Sequence, residues 1–423
     1  MSLERRPFTL SYKPCSKLVA IPTHHSTTPS TDGIQDLAFS PDGLYLAASF
    51  RREVHVWELK EDRDGMTEAW ARKVRFSLES RDKASISCMA WSSSNYLVVG
   101  TSAGRLELVK INEKVPSVQW SLRYSIQPIS QEAKVRGFQV SDEPIKLVAI
   151  DSGFTTMAVV AGKSEVGIWK RSDTVDSKKA WVGLFYLTSP ESYVSLQEEV
   201  VVTSVAWDEN PSDGELLVVS YLNHGIVTWN ASVPSLSNMV NVETVPSGSL
   251  SPDGRKFAIP NSKGTFDIYD LALKNKVVTL TDPDDEVSVH ASWNDTSPSR
   301  QASFIRDGSW IVGTGKGKLN IWNVFNNIRA QRLNLGTLPA TKGIILATGE
   351  VNAEGFTPAL RIAATGRDDG QEIQIWRTIL PRLPGPLDSN ITPSSEPASV
   401  AFWLTALAFF IISFSAAAYM DVL

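Results

Sequence analysis

Residues 313–318, Gly-Thr-Gly-Lys-Gly-Lys, carry the glycines and lysines of a loop that wraps phosphate. Such a loop needs a Gly five positions ahead of its Gly-Lys pair and a Ser or Thr behind it, so that amides and a hydroxyl converge on phosphate and magnesium. Val312 and Leu319 stand at those positions, and the run reads as a hairpin turn. No nucleotide site is expected. Asp282-Pro283-Asp284-Asp285-Glu286 gathers oxygen ligands, yet it lacks the Gly and the ligand alternation of a calcium loop and reads as a solvated connection. His24, His25, His55, His224 and His290 show no metal-ligand spacing. Cys15 and Cys88 are too few for a four-ligand zinc site or a disulfide framework. No nucleophile–base motif occurs. The chain therefore reads as a non-enzyme with no cofactor and no metal.

Charge narrows the partners. Lys and Arg number 41 against 46 acids, a net −5 over 423 residues, which leaves no cationic excess to displace counterions from nucleic acid. Hydrophobic residues at 42% and charged residues at 21% allow a large core and exclude global disorder. Protein partners are expected, and a small-molecule ligand is not.

The elements that position these residues form a series. Residues 34–59, IQDLAFSPDGLYLAASFRREVHVWEL, read as strand, turn, strand, turn, strand, with the first turn at Ser40-Pro41-Asp42-Gly43. The same pattern returns over residues 86–111, 145–170, 202–230, 248–271, 302–324 and 343–376. Aligned on the third strand, Trp57, Val109, Trp169, Trp229, Tyr269, Trp322 and Trp376 fall in one column, at gaps of 52, 60, 60, 40, 53 and 54 residues.

This series resembles the WD-repeat (WD40) family. The resemblance implies an all-β fold, a seven-bladed β-propeller of four-stranded antiparallel blades over residues 1–380. A lone blade cannot bury either apolar face, so blades must stack into a ring, with the aromatic column as packing area between them. The chain reaches Pro381 soon after Trp376, so residues 8–21 are expected to supply the outer strand of the last blade.

The copies also depart from the family. Gly-His openings are missing, and Asp270 after Tyr269 is the one acid of the expected type behind the column. Six residues ahead of the column stand Arg51, Ala103, Lys163, Asn223, Lys263, Lys316 and Gly370, where the family has Asp. A buried His–Asp–Trp network is therefore not expected in most blades, which leaves stability more dependent on apolar packing. In the family these turns share one face. That implies a ring of Arg51, Arg52, Arg105, Lys163, Lys263, Lys316, Lys318 and Arg367 around one channel mouth, suited to an acidic or phosphorylated partner. The competing reading is that they are ordinary solvated turn residues.

The two ends of the sequence differ. The first 21 residues hold no apolar stretch of signal-peptide length. Residues 398–420 are 23 positions without a charge, flanked by Glu396 and Asp421. As a helix they would reach roughly 34 Å at ~1.5 Å per residue, enough to cross a bilayer. A buried helix and a removed lipid-anchor signal are the competing readings. Arg377 and Arg382 precede the run and no cation follows it, which places the N-terminal domain in the cytosol and points to the endoplasmic reticulum. Residues 381–397, rich in proline, read as a stalk.

The combined reading is a tail-anchored, membrane-tethered scaffold that binds proteins on the cytosolic side. A second reading follows from layout alone. A cytosolic WD-repeat propeller ahead of one span is similar to the guanine-nucleotide exchange factor of coat assembly at the endoplasmic reticulum, although no exchange-loop residue matches.

Overall fold

The computed structural model describes residues 10–19, 33–61, 68–78, 84–93, 95–111, 134–171, 181–188, 190, 199–208, 215–261, 265–282, 301–305, 308–315, 318–335, 343–351, 358–366 and 372–379. The chain divides into a unit of residues 1–380 and a second of 381–423, and every described residue lies in the first. Among the described residues no helix is long and apolar enough to cross a membrane. The uncharged run 398–420 and the proline-rich run before it lie outside them.

The first unit is a seven-bladed propeller of four-stranded antiparallel sheets. Strands are lettered a to d outward from the ring axis. Blade 1 holds β2 (Asp36–Phe39), β3 (Tyr45–Ser49), β4 (Glu53–Glu61) and β5 (Glu68–Ser77). Blade 2 holds β6 (Ile86–Ser93), β7 (Tyr96–Thr101), β8 (Arg105–Lys110) and β9 (Lys134–Gln139). Blade 3 holds β10 (Ile145–Ile150), β11 (Thr156–Ala161), β12 (Glu165–Arg171) and β13 (Trp181–Tyr186). Blade 4 holds β14 (Val202–Trp207), β15 (Leu216–Tyr221), β16 (Gly225–Asn230) and β17 (Ser235–Val240). Blade 5 holds β18 (Ser249–Leu250), β19 (Lys256–Pro260), β20 (Phe266–Asp270) and β21 (Asn275–Leu280). Blade 6 holds β22 (Ala302–Ile305), β23 (Trp310–Thr314), β24 (Lys318–Asn323) and β25 (Ile328–Asn334). Blade 7 holds β26 (Ile344–Val351), β27 (Ala359–Gly366) and β28 (Glu372–Ile379), and its outer strand is β1 (Lys13–Val19), paired antiparallel with β28.

The ring closes through its inner strands. β2 touches β6, and contacts continue through β10, β14, β18, β22 and β26 back to β2. Seven apolar clusters follow, one for each pair of neighbouring blades. The b strands lie between two such clusters, which is why β3, β11, β23 and β27 are buried along their whole length. The tight a–b turns come from their side chains. Ser40 Oγ donates to Asp42 Oδ1 (2.6 Å), Gly43 N donates to Ser40 O (2.8 Å), and Gly43 has φ of 69°. A Cβ at Gly43 would also lie 2.6 Å from Glu350 O of blade 7, so only glycine fits this approach.

Each column residue packs against the blade before its own. Trp57 joins blade 7 residues, Trp322 lies tilted against Phe266 of blade 5 (5.5 Å between centroids), and Trp376 packs with Ile321 and Leu333 of blade 6. In all six aromatic cases the outer strand opposite carries one extra residue. The register shifts occur at Trp57, Trp169, Trp229, Tyr269 and Trp322, and between Pro14 and Ser16 opposite Trp376. Val109 alone faces a regular ladder, with β9. A wide ring thus accompanies a bulge that bends the outer strand, and a slim valine does not.

Candidate functional site

The alternation of strand direction sorts every loop to one of two ends. The b–c turns and the blade-to-blade connections share the connection end. The a–b and c–d turns share the hairpin end, where β28 also finishes. At the connection end, turn carbonyls receive the chain entering the next blade. Arg51 O accepts from Ile86 N (2.7 Å), Lys163 O from Val202 N (2.8 Å), and Leu222 O from Val245 N (2.7 Å). The turn backbones are therefore fixed.

Arg51 and Arg52 occupy the turn between β3 and β4, the first exposed and the second half-buried, and neither makes an ion pair among the described residues. Lys163 lies in the turn between β11 and β12, with Nζ 2.6 Å from Glu199 Oε1 in an exposed pair. Such a pair is screened and contributes little to stability. Arg105 opens β8 and Lys318 opens β24, and both point to carboxylates. Arg105 Nε is 3.4 Å from Glu107 Oε1, and Lys318 Nζ is 3.7 Å from Asp282 Oδ2. Lys263, Lys316 and Arg367 lie outside the described residues. The described cations thus fall into two groups, Arg51, Arg52 and Lys163 outward and Arg105 and Lys318 inward.

Asp282 corrects the expectation of a solvated acidic run. It is 8% exposed and holds one side of a polar cluster between blades 5 and 6. Arg332 Nη2 donates to both of its oxygens (2.7 and 2.8 Å), Asn320 Nδ2 donates to Oδ2 (2.8 Å), and Arg329 Nη1 pairs with Oδ1. Asp284, Asp285 and Glu286 lie outside the described residues.

A second cluster fills blade 1. Arg75 Nη2 donates to Glu53 Oε2 at 2.7 Å, and His55 Nε2 lies 3.3 Å from the same oxygen. Burial opposes the Glu53 charge, but hydrogen bonds from His55 and Arg75 outweigh it and hold the pKa down at about 2. Burial pushes the His55 pKa below its ordinary value, against the pull of Glu53, so the ring is neutral and its Nε2–H faces the carboxylate. In blade 2 burial raises the Glu107 pKa, because Arg105 compensates only in part. Gly137, opposite Glu107 on β9, makes the room, since a Cβ there would lie 2.0 Å from Oε2.

These clusters add polar contacts to the apolar packing on which the sequence placed more of the stability. The signal was available two positions before the column, where His55, Glu107, Asp267, Asn320 and Gln374 are polar within the third strands of their blades. Cys88 is buried and its thiol is pushed up to about 12 by burial, so it offers no reactive thiolate. Among the described residues no group of three His, Cys, Asp or Glu could hold a metal ion. Asn230, in a glycosylation-type triplet, spends its Oδ1 on Ser232 N (2.9 Å) and Val233 N (3.1 Å) of the c–d turn.

A family model described as WD domain, G-beta repeat matches residues 16–58, from within β1 to within β4. No curated protein matches the chain.

Proposed function

We propose that this protein is a membrane-tethered platform that holds protein partners at the connection end of its propeller and performs no catalysis itself. The observation that carries the reading is the turn holding Arg51 and Arg52. Its backbone is fixed by hydrogen bonds from Ile86 N and Leu78 N, while its guanidinium groups make no ion pair among the described residues. A preset pair of cations on a rigid frame suits carboxylate or phosphate groups of a partner. Lys163 extends the same end by two blades. The repeat match from β1 to β4, and the same build in all seven blades, support an interaction scaffold, because the strands are used in packing and the loops remain for recognition. The uncharged run 398–420 supports the tether.

The test uses the full-length protein in cells. It should stay with membranes through alkaline carbonate extraction, and quantitative release would defeat the tether. The triple variant Arg51→Glu, Arg52→Glu, Lys163→Glu should lose acidic or phosphorylated neighbours in proximity labelling, with its melting curve unchanged. An identical neighbour set would defeat the connection end as the binding surface. Acceleration of nucleotide release from a purified small GTPase would replace the scaffold with the exchange-factor reading.

A further inference from the structure

The hairpin end differs from the connection end in one respect that the scaffold reading does not use. Of the nine large hydrophobic side chains exposed among the described residues, three lie in c–d turns and six on outer strands, where Val19 and Tyr186 stand at the connection end. None lies in a b–c turn. Val233, Leu273 and Phe325 are 63%, 70% and 75% exposed, and they occupy the c–d turns of three consecutive blades, 4, 5 and 6. Ile328, 58% exposed, follows Phe325 at the start of β25.

The three turns are built alike. Asn230 Oδ1 accepts from Ser232 N and Val233 N, Asp270 Oδ1 accepts from Leu273 N, and Asn323 Oδ1 accepts from Phe325 N and Asn326 N. Each cap fixes the turn and leaves an apolar side chain outermost, where solvent would favour a polar one. One of these tips carries a cation beside it: Lys256 Nζ lies 4.7 Å from the Phe325 centroid. Three apolar tips, one with a cation over its ring, match an interface where acyl chains begin and anionic headgroups end. Strand β28 finishes at this end, at Ile379, and the uncharged run begins 19 residues later in the sequence.

We propose that the hairpin end of blades 4 to 6 rests on the lipid surface, with Val233, Leu273 and Phe325 entering the headgroup region. This rests on the tether proposed above. It adds an orientation, in which the connection end with Arg51, Arg52 and Lys163 faces away from the bilayer.

Full-length protein carrying Cys15→Ser and one of Val233→Cys, Leu273→Cys, Phe325→Cys or Lys163→Cys is labelled with an environment-sensitive fluorophore. Each variant is reconstituted into phosphatidylcholine–phosphatidylserine vesicles with nitroxide-bearing lipid. The first three labels should be quenched several-fold more than the label at 163. Failure of the protein to float with vesicles would overturn the tether and this proposal together. Flotation with equal quenching at all four sites would overturn the orientation alone. A blue-shifted but unquenched label at 273 or 325 would assign the patch to a protein surface and would also overturn lipid contact.

Discussion

Blades 1 and 2 share one apolar cluster and solve the same two problems in opposite ways. At the column, blade 1 has Trp57 and a bulged outer strand, whereas blade 2 has Val109 and a regular ladder. Two positions earlier, blade 1 has a neutral His55 beside an ionised Glu53 that Arg75 clamps, whereas blade 2 buries Glu107 with partial compensation. The bulge is thus coupled to side-chain width. A buried carboxylate stabilises only when its donors outweigh desolvation.

Trp57→Ala should break the comparison most strongly, by about 3–5 kcal/mol, because a ring 4% exposed leaves a cavity between blades 7 and 1. Val109→Ala should cost roughly half as much, because fewer buried atoms are removed. Denaturant midpoints at constant m-value would measure both.

Glu53→Gln should fall between those two, on the order of 3 kcal/mol at pH 7. The folded-state pKa of about 2 lies below the usual 4.5, so the stabilisation is present above pH 4.5 and is lost as pH falls towards 2. The gap between wild type and variant should close over that window in pH-dependent melting. A gap unchanged across it would remove Glu53 from the clamp.

Val109→Trp should cost about 1–3 kcal/mol by overpacking, since β9 has no bulge to accommodate the ring. Inserting one residue into β9 opposite position 109 should recover part of that loss if width and bulge are coupled. The smallest effect should carry the opposite sign. Glu107→Gln should raise stability at pH 7 by about 1 kcal/mol or less, because a raised pKa makes the charged form a burden that grows with pH. Equal melting temperatures at pH 4 and pH 8 for the two proteins would contradict this.

The inner three strands of each blade were legible in the sequence, because strand–turn–strand–turn–strand runs ending at the column recur seven times, with Ser-Pro-Asp-Gly turns in blades 1 and 5. The outer strands were less so. β13 and β21 expose apolar residues, so no alternation announces them, and long connections precede β9 and β13. The candidate cations were readable as positions, but their pairing was not. Arg75 lies 22 residues from Glu53, and Arg332 lies 50 from Asp282. No local pattern encodes such a partnership, because it forms only when outer strands and neighbouring blades come together.

Pairing β1 with β28 also sets a schedule for synthesis. Residues 13–19 leave the ribosome well before their ladder partners at residues 372–379, which follow roughly 360 positions later. At ~5–20 residues per second, the first strand waits for its mate for roughly 20–70 s while six blades emerge. Leu10 and Tyr12, which end up between blades 6 and 7, wait almost as long. During that interval the nascent protein presents an unpaired segment and an open inner edge, the state in which a chaperone would find most to hold.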